Sequence, residues 1–242
     1  MSLAWWNGRL IPRDEVRISP DDTGFRFGDG LFETLRVDDG TARDVEAHLD
    51  RLFASLPRIA LEVSEDRGAL EQAIAEIAAA APRPCARLRL TVSRGTPNDG
   101  PTRLIEAFPY APPSPDATLK VVLLPEIRID SQGPLAGLKS LSYQANRLAL
   151  ARALAAGADE AILLNERGEL CEGSRSNLAL RLDGKWLTPP LRSGCLPGTV
   201  RRRLLERGEI EERDLSPEDL DRAEGIQLMN SLWGVVAGRR IE

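Results

Sequence analysis

Lysine is scarce in this chain: of 32 basic residues, only Lys120, Lys139 and Lys185 are lysines. Lys139 alone lies among small and apolar neighbours, in Gly133-Pro-Leu-Ala-Gly-Leu-Lys-Ser-Leu-Ser142. Surroundings of that kind strip water from an amine on folding and move it toward the range of a nucleophile and proton carrier, the chemistry that Schiff-base formation needs. Lys120 sits in the strand-like Thr118-Leu-Lys-Val-Val-Leu123, and Lys185 follows a turn in Leu182-Asp-Gly-Lys-Trp186. Arginine-biased coding would also make lysine rare and leave Lys139 as a chance survivor, so the residue alone supports either reading.

Two further features suit the same chemistry. Leu196-Pro-Gly-Thr-Val-Arg201 places a glycine and backbone amides at the mouth of a helix, where unpaired N–H groups and the helix dipole favour a phosphate. Taken singly it is equally a Pro-Gly turn before a helix. Glu172-Gly-Ser-Arg-Ser-Asn177 follows a hairpin and sets a carboxylate on or just beyond a strand. A buried carboxylate needs a cationic or hydrogen-bonding partner, and a protonated pyridine nitrogen would serve; a surface glutamate would need none. Amine, phosphate cradle and carboxylate together fit a phosphorylated aldehyde cofactor.

Composition narrows the alternatives. A net charge of -5 with 42% hydrophobic and 29% charged residues excludes a strongly basic nucleic-acid binder and a disordered chain. Apolar stretches such as Ala73-Ile-Ala-Glu-Ile-Ala-Ala-Ala-Ala81 are broken by charge, and the start has no basic-then-apolar segment, so neither a membrane span nor a signal peptide is expected. Cys85, Cys171 and Cys195 are widely spaced and odd in number, which argues against a disulfide framework or thiolate zinc site and for a cytoplasmic protein. The single histidine, His48, has no second histidine to share a metal and no nucleophile spacing beside it; it reads as a helix-surface or packing residue. No metal is expected.

The elements that must position these groups are legible in outline. Asn7-Gly8 is a hairpin signal between two short strands at a sheet edge, and the segment 21–30 reads as a loop leading into a strand over 31–37. Val45, Leu49, Leu52 and Leu56 recur at helical spacing with Arg51 beside the stripe, and a second helix spans about 66–80. In Ala86-Arg-Leu-Arg-Leu-Thr-Val-Ser93, Leu88, Leu90 and Val92 face one way, and Arg87, Arg89, Thr91 and Ser93 face the other, toward solvent or an anion. The Pro-rich segment Phe108-Pro-Tyr-Ala-Pro-Pro-Ser-Pro-Asp116 supplies the domain boundary. The expected organisation is an N-terminal α/β domain over 1–110, a linker over 111–117 and a C-terminal cofactor-binding domain over 118–242. The latter contains helices over 143–156, 199–207 and from Ser216, and strands over 118–124, 160–165, 178–182, 226–229 and 235–241.

In this order and spacing, Phe27-Gly-Asp-Gly-Leu-Phe-Glu-Thr-Leu-Arg36, His48-Leu-Asp-Arg51, Lys139, Glu172, the 196–201 turn and Asn230 resemble the fold type IV pyridoxal-phosphate enzymes. That group holds branched-chain aminotransferases, D-amino acid aminotransferases and aminodeoxychorismate lyases, and the resemblance spans nearly the whole chain. It implies an α/β fold of the α+β type, two domains with the active site between them, pyridoxal 5'-phosphate as cofactor and a homodimer. It makes Lys139 the Schiff-base lysine, Glu172 the partner of the pyridine nitrogen, and Arg51 a phosphate ligand. Gly198, Thr199 and Val200 match the phosphate-binding helix start; many relatives have threonine at the last of these, so a hydroxyl contact is lost there and the amide kept. Ser231 matches another phosphate contact, and Tyr143 and Asn177 match residues around the cofactor.

Within the group, Met229-Asn-Ser-Leu-Trp-Gly-Val235 looks most like the lyases, in which an asparagine opens this motif, placing Asn230 at the substrate. After Ser93-Arg-Gly95 the chain reads Thr96-Pro-Asn-Asp-Gly100, without the Arg-x-His carboxylate trap of D-amino acid aminotransferases. Arg89 matches a basic position near the substrate in the lyases, suited to a carboxylate, although the basic residue some lyases carry after Arg94 is missing until Arg103. The expected activity is conversion of 4-amino-4-deoxychorismate to 4-aminobenzoate and pyruvate. The alternatives are an aminotransferase acting on branched-chain or other amino acids, and a cofactor-binding protein without catalysis. Keeping both Lys139 and Glu172 argues against the last, since storage needs no electron sink.

Overall fold

Asn7 and Gly8 take φ of 46° and 86°, the left-handed pair that a two-residue hairpin turn requires and that glycine adopts at little cost. They close β1 (Leu3–Trp6) against β2 (Arg9–Pro12) with Trp6 opposite Arg9. The structure is a computed structural model that describes residues 2–64, 66–114 and 116–241. Its chain divides into two units: residues up to Pro112 with Leu138–Tyr143, and Pro113–Gly137 with the residues from Gln144 onward. Pro115, within the expected linker, lies outside the described residues.

In the first unit, α1 (Thr23–Phe27) precedes β3 (Gly30–Asp38), β4 (Thr41–Ala42), α2 (Val45–Ser55), α3 (Arg67–Ala79), β5 (Cys85–Thr96) and β6 (Gly100–Pro109). The strands form one antiparallel sheet in the order β2-β1-β6-β5-β3-β4, with β2 at an edge. Leu35, Leu88, Leu90 and Ile105 pack with Leu49 and Leu52 of α2 and Leu70, Ile74 and Ile77 of α3. The short α1 replaces part of the loop expected over 21–30. Its five residues are too few to show a helical repeat, and it is started by Asp22, whose carboxylate accepts from the Gly24 and Phe25 amides.

The second unit contains β7 (Thr118–Ile129), α4 (Gln144–Ala155), β8 (Glu160–Asn165), β9 (Leu170–Gly173), β10 (Asn177–Leu182), β11 (Lys185–Thr188), α5 (Thr199–Glu206), β12 (Glu211–Glu212), α6 (Pro217–Asp221), β13 (Gly225–Asn230) and β14 (Gly234–Arg240). Its sheet runs β12-β11-β10-β13-β14-β7-β8-β9 and is mixed, with parallel pairs β14/β7, β7/β8 and β11/β12. Parallel neighbours need a crossover, and between β7 and β8 the returning helix is α4. Every residue of β8 is buried, which leaves Glu160 at its start inside the protein.

The expected second domain, 118–242, is interrupted. Leu138–Tyr143 groups with the first unit because this segment adds to β3: Ser140 bridges Leu31, the Phe32 amide donates to the Lys139 carbonyl at 2.9 Å, and the Leu141 amide donates to Gly30 at 2.9 Å. Leu138 joins the first unit's core.

Leu88 is fully buried between Leu35 and Ala107 on the neighbouring strands. Leu88→Ala is expected to cost about 2–5 kcal/mol through lost burial and a cavity, read as a lower midpoint in urea unfolding followed by tryptophan fluorescence.

Candidate active site

Successive side chains of a strand point to opposite faces, and β3 uses the two faces differently. Leu31, Glu33 and Leu35 share the face with the apolar core, so Glu33 is a carboxylate among leucines, with 1% of its surface exposed. Its partners come from α2. Arg51 Nε donates to Glu33 Oε1 at 2.8 Å and Arg51 Nη2 to Oε2 at 2.5 Å, while His48 Nδ1 lies 2.7 Å from Oε2. Since the carboxylate accepts, His48 carries its proton on Nδ1. Burial alone would raise the Glu33 carboxyl, but the Arg51 charge and the hydrogen bonds from Arg51 and His48 hold it down at about 2. His48 is fully buried and so packs in the interior; Arg51 is clamped by the bidentate pair.

The opposite face carries Phe32. Lys139 Nζ lies 4.5 Å from the centre of its ring and 5.7 Å from that of Tyr143, and the two rings meet edge to face at 5.3 Å. Arg89 of β5 also stands over Phe32, with Cζ 3.9 Å from the ring centre and Nε donating to Thr91 Oγ1 at 3.0 Å. Arg89 is therefore half-buried on an aromatic face rather than fully solvated. An amine and a guanidinium share one ring, an arrangement suited to an anionic substrate that undergoes proton transfer at Nζ.

In the second unit, Leu196 is the meeting point. Its amide donates to Glu172 Oε2 at 2.9 Å, and its carbonyl accepts from Asn177 Nδ2 at 2.8 Å and from the Gly198 amide at 2.8 Å. Gly198 is the N-cap of α5 and offers no side-chain cap, so the helix mouth presents backbone donors to an anion. A Cβ at Gly198 would fall 2.0 Å from Asn177 Oδ1, which makes glycine a requirement of this close approach. Val200 is buried with Ala179, Leu204, Ile210 and Met229, so its side chain serves the core and only its amide could meet a ligand.

Asn230 builds a turn: Oδ1 accepts from Leu232 N at 2.9 Å and Trp233 N at 3.1 Å, and Nδ2 donates to the Arg175 carbonyl at 3.2 Å. Ser231 follows it, half-buried. The three cysteines are free and buried. Burial pushes the Cys195 thiol to about 11 and that of Cys171 higher still, poor conditions for a thiolate nucleophile. Among the described residues no group of His, Cys, Asp or Glu is arranged to hold a metal ion, and no helix is long and apolar enough to cross a membrane.

Sequence reasoning named Lys139, Arg89 and Tyr143 but missed Phe32, which gathers them, and Leu196, which acts only through its backbone. Glu33 was also missed, although a carboxylate between Leu31 and Leu35 in an alternating strand signals a buried charge in need of a cation. In the first unit a lysine amine lies on two rings, suited to an aldehyde; in the second, a carboxylate oriented by an amide and an uncapped helix start are suited to a pyridine nitrogen and a phosphate.

Glu33 lies below its ordinary value of 4.5, so the Arg51 pair contributes stability above about pH 4.5 that is lost as pH falls through about 2. Glu33→Gln is expected to flatten acid unfolding over that window and to cost about 3–5 kcal/mol near neutrality by leaving Arg51 without its buried counter-charge. Circular dichroism against pH and urea checks both.

Comparison with known proteins agrees with this chemistry. Residues 30–241 match the amino-transferase class IV family. The chain is 34% identical to the solved 4-amino-4-deoxychorismate lyase of Pseudomonas aeruginosa, covering 99% of this chain and 92% of that one with a TM-score of 0.85. It is 32% identical over 252 residues to a bifunctional aminodeoxychorismate lyase / D-amino acid transaminase of Mycobacterium tuberculosis, covering 93% of this chain and 86% of that protein. A hypothetical aminotransferase of Mycobacterium tuberculosis, solved in a PLP-bound form, is 27% identical with a TM-score of 0.88 over 100% of this chain and 91% of that one.

Proposed function

Because the chain belongs to the class IV aminotransferase family, whose cofactor is pyridoxal 5'-phosphate, we propose that it is the lyase that converts 4-amino-4-deoxychorismate to 4-aminobenzoate and pyruvate. When bound, the cofactor supplies an aldehyde for an amine and a ring that withdraws electrons. Lys139 Nζ is the amine that holds it, and Glu172, oriented by the Leu196 amide, is the partner of its ring nitrogen. The amides of Gly198, Thr199 and Val200, with Arg51 and Ser231, take the phosphate, and Tyr143 and Asn177 line the cofactor.

The observation that carries the lyase reading is the pairing of Lys139 and Arg89 on the Phe32 ring. The substrate is a dicarboxylate, and a guanidinium near the reacting amine can anchor one carboxylate through paired N–H donors. Nζ would take the proton from the amine-bearing carbon, and the faces of Phe32 and Tyr143 would attract the ammonium so formed. The enolpyruvyl group then leaves the neighbouring carbon, and Nζ or a water returns a proton to its methylene carbon. Atoms balance without an oxidant, and aromatisation drives the step. Asn230 contributes by shaping the 230–233 turn beside Ser231. A homodimer, as in the family, completes the reading; a monomer by light scattering at all working concentrations would refute that part.

Cofactor-loaded protein given aminodeoxychorismate is expected to release 4-aminobenzoate and pyruvate in equal amounts, and Lys139→Ala to release neither. Loaded protein that releases neither product overturns the lyase in favour of transamination, to be pursued with a panel of amino donors. Arg89→Ala is expected to lower kcat/KM about 10- to 100-fold, mostly through KM, the loss of one charge-assisted contact to the substrate.

A further inference from the structure

Glu160 opens β8 with none of its surface exposed, and no step above uses it. A buried carboxylate is costly unless fully bonded, and here the bonds come overwhelmingly from one short segment. Ser174 donates to Oε1 through its amide at 2.9 Å and through its hydroxyl, and Ser176 Oγ donates to Oε2 at 3.1 Å. The Ala161 amide adds a contact to Oε1 at 3.0 Å, and Arg175 Nε stands 3.6 Å from Oε2. Each of these groups donates or is cationic, so the arrangement matches an anion that accepts at both oxygens. Burial raises the Glu160 carboxyl above its usual range, and the contacts from Ser174, Arg175, Ala161 and Ser176 oppose that rise.

The segment so held has Glu172 just before it and Asn177 just after it, and both side chains bind Leu196 ahead of the α5 mouth. It is a tight turn, in which the Gly173 amide donates to Ser176 O at 2.7 Å. From elsewhere, Asn146 Nδ2 donates to the Ser174 carbonyl and Asn230 Nδ2 to that of Arg175, each at 3.2 Å, the Ser174 amide also reaches the Ala161 carbonyl at 3.2 Å, and Arg175 Nη2 donates to the Asp159 carbonyl at 3.1 Å. Glu160 gathers the Ser174 amide and both serine hydroxyls, and it does so from the interior.

We propose that Glu160 is a positioning residue whose buried carboxylate gathers Ser174, Arg175 and Ser176 and thereby sets Glu172 and Asn177 for the cofactor. This rests on the reading of Glu172 as the partner of the ring nitrogen. Glu160 touches no ligand and acts through the turn.

Glu160→Gln keeps the shape and tests the charge. The backbone amides of Ala161 and Ser174 can only donate, so the new amide must place its oxygen at Oε1 and its NH2 at the Oε2 position, toward Ser176 and Arg175. The serine hydroxyl can rotate to accept; the guanidinium cannot, and the turn loosens on that side. In titrations of the full-length apoprotein with pyridoxal 5'-phosphate, Glu160→Gln is expected to raise Kd about 10-fold and to shift the pH dependence of the bound cofactor's visible absorbance in the same direction as Glu172→Gln. A merely structural role would lower the urea midpoint of the apoprotein and leave that spectral titration at wild type. Ser176→Ala removes one donor, keeps the anion and serves if Glu160→Gln does not fold; a Kd raised about 2- to 5-fold with a smaller spectral shift is expected. Wild-type Kd and spectrum in Glu160→Gln, or in Ser176→Ala when it stands alone, while Glu172→Gln changes them, overturns the role of Glu160 only. A spectrum unmoved by Glu172→Gln overturns the assignment of Glu172, and this inference with it.

Discussion

The hydrogen bond from the Phe32 amide to the Lys139 carbonyl, 2.9 Å long, decides where the amine of this protein goes. With the Leu141 amide on Gly30 and the bridge of Ser140 to Leu31, it makes residues 138–141 an addition to β3. A lysine on a free loop would sweep a large volume. Pinned beside the strand, its Nζ meets the face of Phe32, the ring that also carries Arg89. Strand parity then separates two adjacent positions, with Phe32 turned toward the Lys139 amine and Glu33 toward α2.

Two buried carboxylates do comparable work. Glu33 fixes a guanidinium by paired hydrogen bonds, and Glu160 fixes a turn by gathering its donors. In each case the anion costs much to bury and is held only by a complete set of partners, so the geometry of those partners is tightly specified. Their pKa directions differ for a clear reason. A charged arginine against both oxygens outweighs burial at Glu33, whereas serine hydroxyls, amides and a more distant arginine do not at Glu160.

The second unit achieves precision by backbone contacts. Leu196 contributes its amide to Glu172 and its carbonyl to Asn177, and Gly198 lies against Asn177 at a distance only glycine permits. A loop that binds through its main chain tolerates change in its side chains, which is why Val200 can turn inward to the core while its amide stays at the helix start. Family membership joins the chain to pyridoxal 5'-phosphate chemistry.

Local rules were enough for much of this. Asn7-Gly8 dictates its hairpin, the 45–56 stripe its helix, and the alternation around Arg89 a strand with Leu88, Leu90 and Val92 inside, because each depends on a few neighbouring residues. The order of Lys139, Glu172 and Gly198 was likewise enough to name the family and its cofactor. Four features were not legible: the short helix α1, the return of Leu138–Tyr143 to β3, the gathering of Lys139 and Arg89 on Phe32, and the burial of Glu160. Apart from α1, each depends on residues far apart in the chain, such as Phe32 with Lys139 and, 16 positions apart, Ser176 with Glu160. Sequence alone determined which groups are present and which local elements carry them. Tertiary structure decided which charges lost their water and which partners repaid that loss, because desolvation is a property of the packed interior and not of any local stretch of chain.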